Sequence, residues 1–118
     1  MIDIATTYTP FRLKLSRKSP VQLTIAVQNK ANENKMVSLE LRLGRNLGLD
    51  KSGFRNADVK KFDNFGKGEK KEFYYEIWPK QSTAPGEQPV KVVVLEHYNN
   101  FNYIAKEYSK SIPLTVEE

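Results

Sequence analysis

Apolar residues recur at every second position in one segment of this chain after another. Val37, Leu39, Leu41 and Leu43 alternate with polar side chains, and residues 21–27 show the same period. Successive side chains of a β-strand point to opposite faces, whereas a helix needs an apolar period of about 3.6. No segment carries a helical repeat of useful length. The pattern therefore predicts strands with one buried and one solvated face.

This alternation predicts at least six strands, with a seventh at the N-terminus. They lie near residues 2–8, 11–15, 21–28, 37–43, 72–77, 90–97 and 112–116. Asn, Ser, Gly and Pro concentrate between them, and these residues tolerate or preset the dihedral angles of turns. Only the segment 44–66 shows no clear period, and we expect an irregular connection there, with a short strand or one helical turn at 56–62. The fold class is therefore all-β: a single immunoglobulin-like antiparallel β-sandwich of about seven strands, with a closed barrel as the alternative.

The length of 118 residues fits one domain, so residues 1–118 are expected to form a single unit. The chain has no cysteine, which excludes disulfides, thiolate metal sites and thiol nucleophiles. No apolar run approaches membrane-spanning length, and the first ten residues lack the regions of an export signal, so we expect no membrane insertion. A cytoplasmic location is expected if Met1 is the native start, and a cell-surface location if the chain is a module of a longer exported protein.

Residues 65–116 present short structural signals in a recurring order. They are, in sequence, Gly68 and Glu69, the strand 73–78 closed by Pro79, the turn residues Pro85 and Gly86, the strand 90–95 and the strand 112–116. This order resembles the second half of Ig-like repeats of the archaeal S-layer-like, bacterial cell-adhesion-related (CARDB) and NEW3 types. Residues 21–43 look like the matching first half, with Asn29 at a strand end. The resemblance implies a sandwich that serves as a spacer, an adhesive module or an accessory domain at a cell surface.

The inventory of catalytic groups is thin. His97 is the only histidine, and no serine lies in a nucleophile-elbow sequence. One histidine with scattered carboxylates gives no zinc set, and the segment 50–53 lacks the further ligands of a calcium loop. Residues 66–71 lack the second spaced glycine and the Lys-Ser/Thr ending of a phosphate-binding loop. We therefore expect a protein that is not an enzyme and that holds no metal or other cofactor.

Positive charge is concentrated in the first half of the chain. Residues 1–60 carry eleven Lys and Arg against five acids, whereas residues 61–118 carry eight against nine. The candidate basic patch consists of Arg12, Lys14, Arg17 and Lys18. Because arginine suits bidentate contacts with phosphate, nucleic-acid binding is the alternative function. Lysines on strand edges also prevent edge-to-edge aggregation, and that interpretation stays open.

Aromatic side chains supply the candidate protein-contact residues, which are Trp78, Tyr98, Phe101 and Tyr103. Such residues are favoured at binding hot spots because they bury a large area with few rotatable bonds. Trp78 falls in the outward register of its strand, and packing across the mouth of the sandwich is an equal alternative. The set at 98–103 is either an exposed contact surface or a lid on the core. We expect a protein partner or a homo-oligomer.

The strand 90–98 is apolar in the middle of both faces, which predicts a central strand covered on both sides. The cover of its outer face is expected to be the segment 44–66 or a partner subunit.

The Asn pair that follows this strand suits left-handed turn positions. Asn99 and Asn100 therefore predict a hairpin over residues 96–110, with an irregular or bulged return through 106–110. In such a hairpin His97 needs no chemical role.

Overall fold

The computed structural model describes residues 2–17, 19–52, 55–80 and 83–118, and strands dominate these stretches. In chain order the strands are β1 (Ile2–Thr9), β2 (Arg12–Lys14), β3 (Val21–Asn29), β4 (Lys35–Leu43), β5 (Leu47–Gly48), β6 (Ala57–Phe65), β7 (Lys70–Pro79), β8 (Gly86–Gln88), β9 (Val90–Tyr98), β10 (Asn100–Ser111) and β11 (Leu114–Glu117). One turn of 3-10 helix, Leu15–Arg17, is the only helix in the described stretches. No helix there is long and apolar enough to cross a membrane.

Two four-stranded sheets form the two layers of the molecule. One has the strand order β1-β3-β7-β5 and the other β10-β9-β4-β6, and neighbouring strands are antiparallel in both. A third sheet has the order β2-β11-β8, in which β11 runs parallel to β2 and antiparallel to β8. None of the sheets closes on itself in the part of the chain that the structure describes. The architecture is therefore a sandwich and not the alternative barrel.

The core lies between the two large sheets, where their alternating apolar residues meet. The central strands contribute Val21, Leu23, Ile25, Val27, Val37, Leu39, Leu41, Val92 and Val94, all buried. The third sheet adds Leu13, Leu114 and Val116 to the same core. Because residues two apart share a face of a strand, β3 and β4 bury one side and leave the other largely polar, whereas β9 is buried on both sides along its middle. The all-β sandwich predicted from the period is confirmed.

The structure contains more strands than the sequence predicts. The described residues form eleven strands, against about seven predicted, and seven of the eleven are eight or more residues long. The other four, β2, β5, β8 and β11, have four residues or fewer. Two of these short strands, β2 and β11, correspond to the predicted strands at 11–15 and 112–116, so the strands outside the seven predicted ranges are β5, β6, β8 and β10.

The predicted strand at 11–15 is shorter than expected. Only Arg12–Lys14 is extended, and Leu15 begins the 3-10 turn. Leu13 is buried in the core, whereas Phe11, expected on the same buried face, is 82% exposed. The prediction for Phe11 was wrong because its backbone precedes β2 and lies in the bend after β1.

The segment 44–66 contains more regular structure than predicted. β6 occupies nine residues of it and pairs with β4 from Val37 to Arg42, while β5 joins the other sheet. β6 lies at the edge of its sheet and is exposed on both faces over most of its length, so burial imposes no alternation on it. Its strand conformation comes from the backbone ladder with β4. Gly53 and Phe54 lie outside the described residues.

β9 is a central strand, as predicted, because it lies between β10 and β4. On its outer face Val93 is only 2% exposed and lies between Ser109 of β10 and Glu40 of β4. The segment 44–66 supplies β5, which lies next to β7, and β6, which lies next to β4 at the edge of the same sheet as β9. Which of the two expected covers lies over this face, the segment 44–66 or a partner subunit, stays a prediction.

One end of the sandwich is tied together at Asn29, where β3 ends. The Asn29 backbone N–H donates to the carbonyl of Glu69 at 2.9 Å, and the Asn29 carbonyl accepts from the N–H of Gly68 at 2.9 Å. Gly68 has a φ of 73°, a left-handed conformation that glycine adopts without strain. The predicted turn before β7 therefore also joins β7 to the end of β3.

Candidate contact surface at the β9–β10 turn

The turn between β9 and β10 has the left-handed residue that its sequence predicts. Asn99 has a φ of 66°, and Asn100 pairs directly with Tyr98 across the turn. The Asn100 side-chain Oδ1 accepts a hydrogen bond from the backbone N–H of Asn102 at 2.8 Å. An asparagine side chain that bonds the backbone two residues on is a common way to stabilise a turn. The hairpin prediction is confirmed in this part.

The return strand is bulged before Lys106 and not after it. The β9–β10 register shifts between Asn100 and Ile104 and again between Ile104 and Lys106. From Lys106 to Ser111 the pairing with β9 is regular. The irregular return is thus confirmed, but its location at 106–110 was wrong. The bulges release residues 101–105 from a regular ladder and let their side chains leave the plane of the sheet.

His97 anchors this irregular segment to the sheet. It is buried on the outer face of β9, where its Nε2 lies 2.7 Å from Oγ of Ser38 and its Nδ1 lies 3.2 Å from the carbonyl oxygen of Tyr103. A carbonyl oxygen only accepts, so Nδ1 carries the proton and donates it to Tyr103. In the neutral ring Nε2 then accepts from the Ser38 hydroxyl. His97 therefore links β4, β9 and the bulged part of β10.

Phe101 lies over this histidine. The two rings are 5.1 Å apart between centroids and tilted by 68°, an edge-to-face contact. Nζ of Lys61, from the edge strand β6, lies 5.4 Å from the centroid of the Phe101 ring, within cation–π range. Phe101 is half-buried, so it covers His97 and also presents part of its ring to solvent. Phe101 thus acts as a lid on His97, and a contact role for the exposed part of its ring stays a prediction.

The neighbours of Phe101 are strongly exposed. Tyr98 is 68% exposed, Tyr103 63% and Ile104 60%. Six large hydrophobic side chains are exposed in the described residues, and three of them lie within this seven-residue stretch. We call the set Lys61, Tyr98, Phe101, Tyr103 and Ile104 the hairpin surface. Three predicted contact residues thus lie at the same turn, with Ile104 and Lys61 as additions.

Trp78 is not part of the hairpin surface. It is half-buried at the end of β7 and pairs with Gly48 of β5. β7 belongs to the other sheet, and its Trp78 end lies at the opposite end of the sandwich from the β9–β10 turn. On the outer face of the same strand Tyr74 is 60% exposed, and its hydroxyl donates to Glu72 at 2.7 Å. Trp78 is therefore a separate candidate contact residue, and its role in contact stays a prediction.

The inner face of β9 carries a buried acid below the same turn. Glu96 is buried, accepts a hydrogen bond from the Tyr108 hydroxyl at 2.7 Å and lies 3.6 Å from Nζ of Lys35. Burial, and then the hydrogen bond to Glu96, raises the pKa of Tyr108 to about 12. The pair ties the regular part of β10 to β9. No local sequence pattern indicates this contact, because it depends on which tyrosine of β10 faces inward.

Three described members of the predicted basic patch meet at one place. Arg12, Lys14 and Arg17 line a depression together with Pro10, Phe11 and Glu117. Lys18 lies outside the described residues. This depression belongs to the small third sheet and is separate from the hairpin surface in the fold.

The described residues contain no group of three or more His, Asp or Glu side chains that could hold a metal ion. Among the described residues, Ser38 and His97 form the one hydroxyl–imidazole contact that resembles part of a catalytic triad. The other ring nitrogen of His97 faces a backbone carbonyl, whereas a triad would place a carboxylate there.

No protein-family model and no curated protein matches this chain. Solved structures do match in fold. The chain aligns with self-complemented MyfA, the major subunit of Myf fimbriae from Yersinia enterocolitica, at a TM-score of 0.54 and 14% identity, over 98% of this chain and 99% of MyfA. It aligns with the alkylpurine DNA glycosylase AlkC of Pseudomonas fluorescens, solved bound to DNA containing an abasic site analog, at a TM-score of 0.51 and 15% identity. For the sporulation control protein Spo0M of Bacillus subtilis the TM-score is 0.50 and the identity 17%.

These structural similarities support the all-β fold and show nothing about function. The chain spans 30% of the glycosylase and 49% of Spo0M, although 99% of it is covered in each case. At identities this low a shared fold does not carry a shared activity. The resemblance to the S-layer-like, CARDB and NEW3 types stays a prediction.

Proposed function

We propose that this chain is a non-catalytic immunoglobulin-like module that binds a partner protein, or a second copy of itself, through the hairpin surface. The observation that carries the proposal is the concentration of exposed Tyr98, Tyr103 and Ile104 around the half-buried Phe101. Apolar side chains that gather at one solvated turn have no role in the core, and their contact with a partner would remove them from water.

The strand order supports the immunoglobulin-like assignment of residues 1–118. The order β1-β3-β7-β5 corresponds to strands A-B-E-D of that fold, and β10-β9-β4-β6 corresponds to G-F-C-C′. One departure is that the two-residue β5 precedes β6 in the chain. This strand order supports the module interpretation, which the resemblance to S-layer-like, CARDB and NEW3 repeats also implies.

Several contacts hold the hairpin surface in place. His97 bonds Ser38 on one side and the Tyr103 carbonyl on the other, and Phe101 packs on the His97 ring. A surface that is ordered before binding loses less conformational entropy when a partner docks. Tyrosine and phenylalanine add large contact area with few rotatable bonds, and Lys61 favours a partner surface that is acidic beside its apolar pocket.

MyfA gives an analogy for this kind of role. It is the major subunit of a fimbria, and this chain matches nearly its whole length. A sandwich of this size therefore serves there in an assembly of protein subunits. The analogy supports a binding or structural module and says nothing about the partner of this chain.

We infer that Ser38 and His97 are structural and not catalytic. Both side chains are buried, and the Phe101 ring lies against the histidine where a substrate would have to enter. The ring nitrogen that a triad would orient with a carboxylate instead holds the Tyr103 carbonyl. The pair thus fixes the turn that presents the contact residues.

The test compares Tyr103→Ser with Tyr74→Ser, because these side chains have nearly equal exposure, 63% and 60%, on different sheets. Immobilised protein is used to capture partners after nuclease treatment, and light scattering at high concentration reports self-association. The expected result is a partner or dimer that is retained by Tyr74→Ser and lost by Tyr103→Ser, with equal melting temperatures. Equal retention by both variants, or a monomer that captures nothing, would reject the hairpin surface as a binding site.

A further inference from the structure

A second surface of the molecule combines an exposed ring with unpaired cations. The depression lined by Pro10, Phe11, Arg12, Lys14, Arg17 and Glu117 has a volume of about 540 Å³ and opens to solvent. Phe11 is 82% exposed, the largest exposure among the large hydrophobic side chains of the described residues. The core does not use this ring, and the hairpin surface lies on another sheet.

The backbone explains why these side chains point outward together. Leu13 inserts into the core, so its neighbours Arg12 and Lys14 both face the opposite side of β2. β2 pairs in parallel with β11, which places Glu117 opposite Lys14 in the ladder. The 3-10 turn that follows brings Arg17 to the same depression.

The charge around the depression is not neutralised. Nη1 of Arg12 lies 3.6 Å from Oε1 of Glu117, and both groups are exposed, so this ion pair is weak. Lys14 and Arg17 have no carboxylate partner among the described residues. Among the side chains that line the depression, three cations against one carboxylate leave a net charge of +2.

We propose that this depression binds single-stranded nucleic acid, with one base stacked on Phe11 and the flanking phosphates held by Arg12, Lys14 and Arg17. An aromatic ring in a basic groove is the arrangement that takes an unpaired base, because every base has a face for stacking and each phosphate needs a cation. In a duplex the base faces are already stacked on one another and cannot reach the ring. The proposal is independent of the binding role of the hairpin surface.

The test measures the anisotropy of a labelled oligothymidine about 12 nucleotides long as protein is added. Three phosphate contacts predict a slope of about −2 for log affinity against log salt, so affinity should fall about 20-fold between 50 and 200 mM salt. Phe11→Ala should weaken binding by about 5- to 150-fold, the range measured for loss of one stacked base. Lys14→Glu should also weaken binding, whereas Lys91→Glu, an exposed lysine on the outer face of β9, should have little effect.

Controls separate stacking from general attraction to negative charge. Tyr74→Ala, another exposed aromatic, should leave oligothymidine binding unchanged. Equal affinity for a duplex of the same length, or for polyglutamate, would overturn the proposal, as would a Phe11→Ala variant that binds like the original protein. Phe11 makes no core contact, so the variant should keep its melting temperature. Tyr103→Ser should bind oligothymidine normally, which distinguishes failure here from failure of the hairpin surface.

Discussion

Replacement of Asn29 by alanine would test whether one buried amide holds an end of the sandwich together. The Asn29 side chain is fully buried, and its polar atoms make three hydrogen bonds. Nδ2 donates to the carbonyl oxygens of Glu33 and Phe65, each at 3.0 Å, and Oδ1 accepts from the N–H of Ala31 at 2.9 Å. The β3–β4 connection and the end of β6 are therefore joined through a single residue.

The expected loss of stability follows from these three bonds. Each contributes a net of about 1 kcal/mol, and a partner left buried without a bond costs about 1–3 kcal/mol. We expect the free energy of unfolding to fall by about 3–5 kcal/mol in Asn29→Ala. With an unfolding entropy of about 2.1 cal/mol/K per residue, a chain of 118 residues should then melt about 12–20 °C lower.

The assay is thermal and urea unfolding followed by circular dichroism, with two further variants. Asn34→Ala removes one exposed bond, from the N–H of Lys67 to Oδ1 at 2.8 Å, and should cost less than about 1 kcal/mol. Asn29→Asp keeps the shape but loses both donated bonds, so it should be at least as unstable as Asn29→Ala. If Asn29→Ala were no less stable than Asn34→Ala, the attribution of stability to the buried amide would be refuted.

Three further substitutions test other parts of the structure. Phe65→Ala should lower the free energy of unfolding by about 3–5 kcal/mol because the ring is fully buried. Phe11→Ala should change it by less than about 0.5 kcal/mol because the ring is exposed, and the urea midpoints of the two variants measure the difference. His97→Ala should destabilise by about 2–4 kcal/mol through two lost hydrogen bonds and lost contact with Phe101, and faster amide exchange near the turn would report it. The Tyr108 pKa of about 12 lies above its unfolded value, so its contribution is complete below pH of about 10 and is lost as pH rises toward 12; Tyr108→Phe should flatten that part of the stability profile.

Strands with one buried face were predictable from the sequence, because burial selects the residue at every second position. Leu23 and Ile25 of β3 and Leu39 of β4 are all buried as the period requires. β6 was not predictable by the same reasoning, since an edge strand with two solvated faces has no burial pattern. Its lysines and its exposed Val59 are also typical of a loop, and only the pairing with β4 identifies the segment as a strand.

In the candidate site too, the features that were predictable depend on adjacent residues, and the others depend on contacts between distant residues. The left-handed Asn99 was predictable because turn conformation depends on a few adjacent residues. The bond between Ser38 and His97 joins residues 59 apart in the chain, and no local pattern indicates it. Lys61 over Phe101 is also set by strand order, which requires the pairing of β4 with both β6 and β9.

The irregular shape of β10 favours side-chain recognition over strand addition in the binding proposed for the hairpin surface. β10 is an edge strand, and a regular edge offers backbone groups to a strand from another chain. The two register shifts before Lys106 interrupt that edge where the apolar side chains are concentrated. The regular half that follows, Lys106–Ser111, carries two lysines and a glutamate, and such charges protect an edge from pairing. The bulges thus interrupt backbone pairing where Tyr103 and Ile104 are exposed, so a partner of the proposed kind would recognise the side chains of the turn.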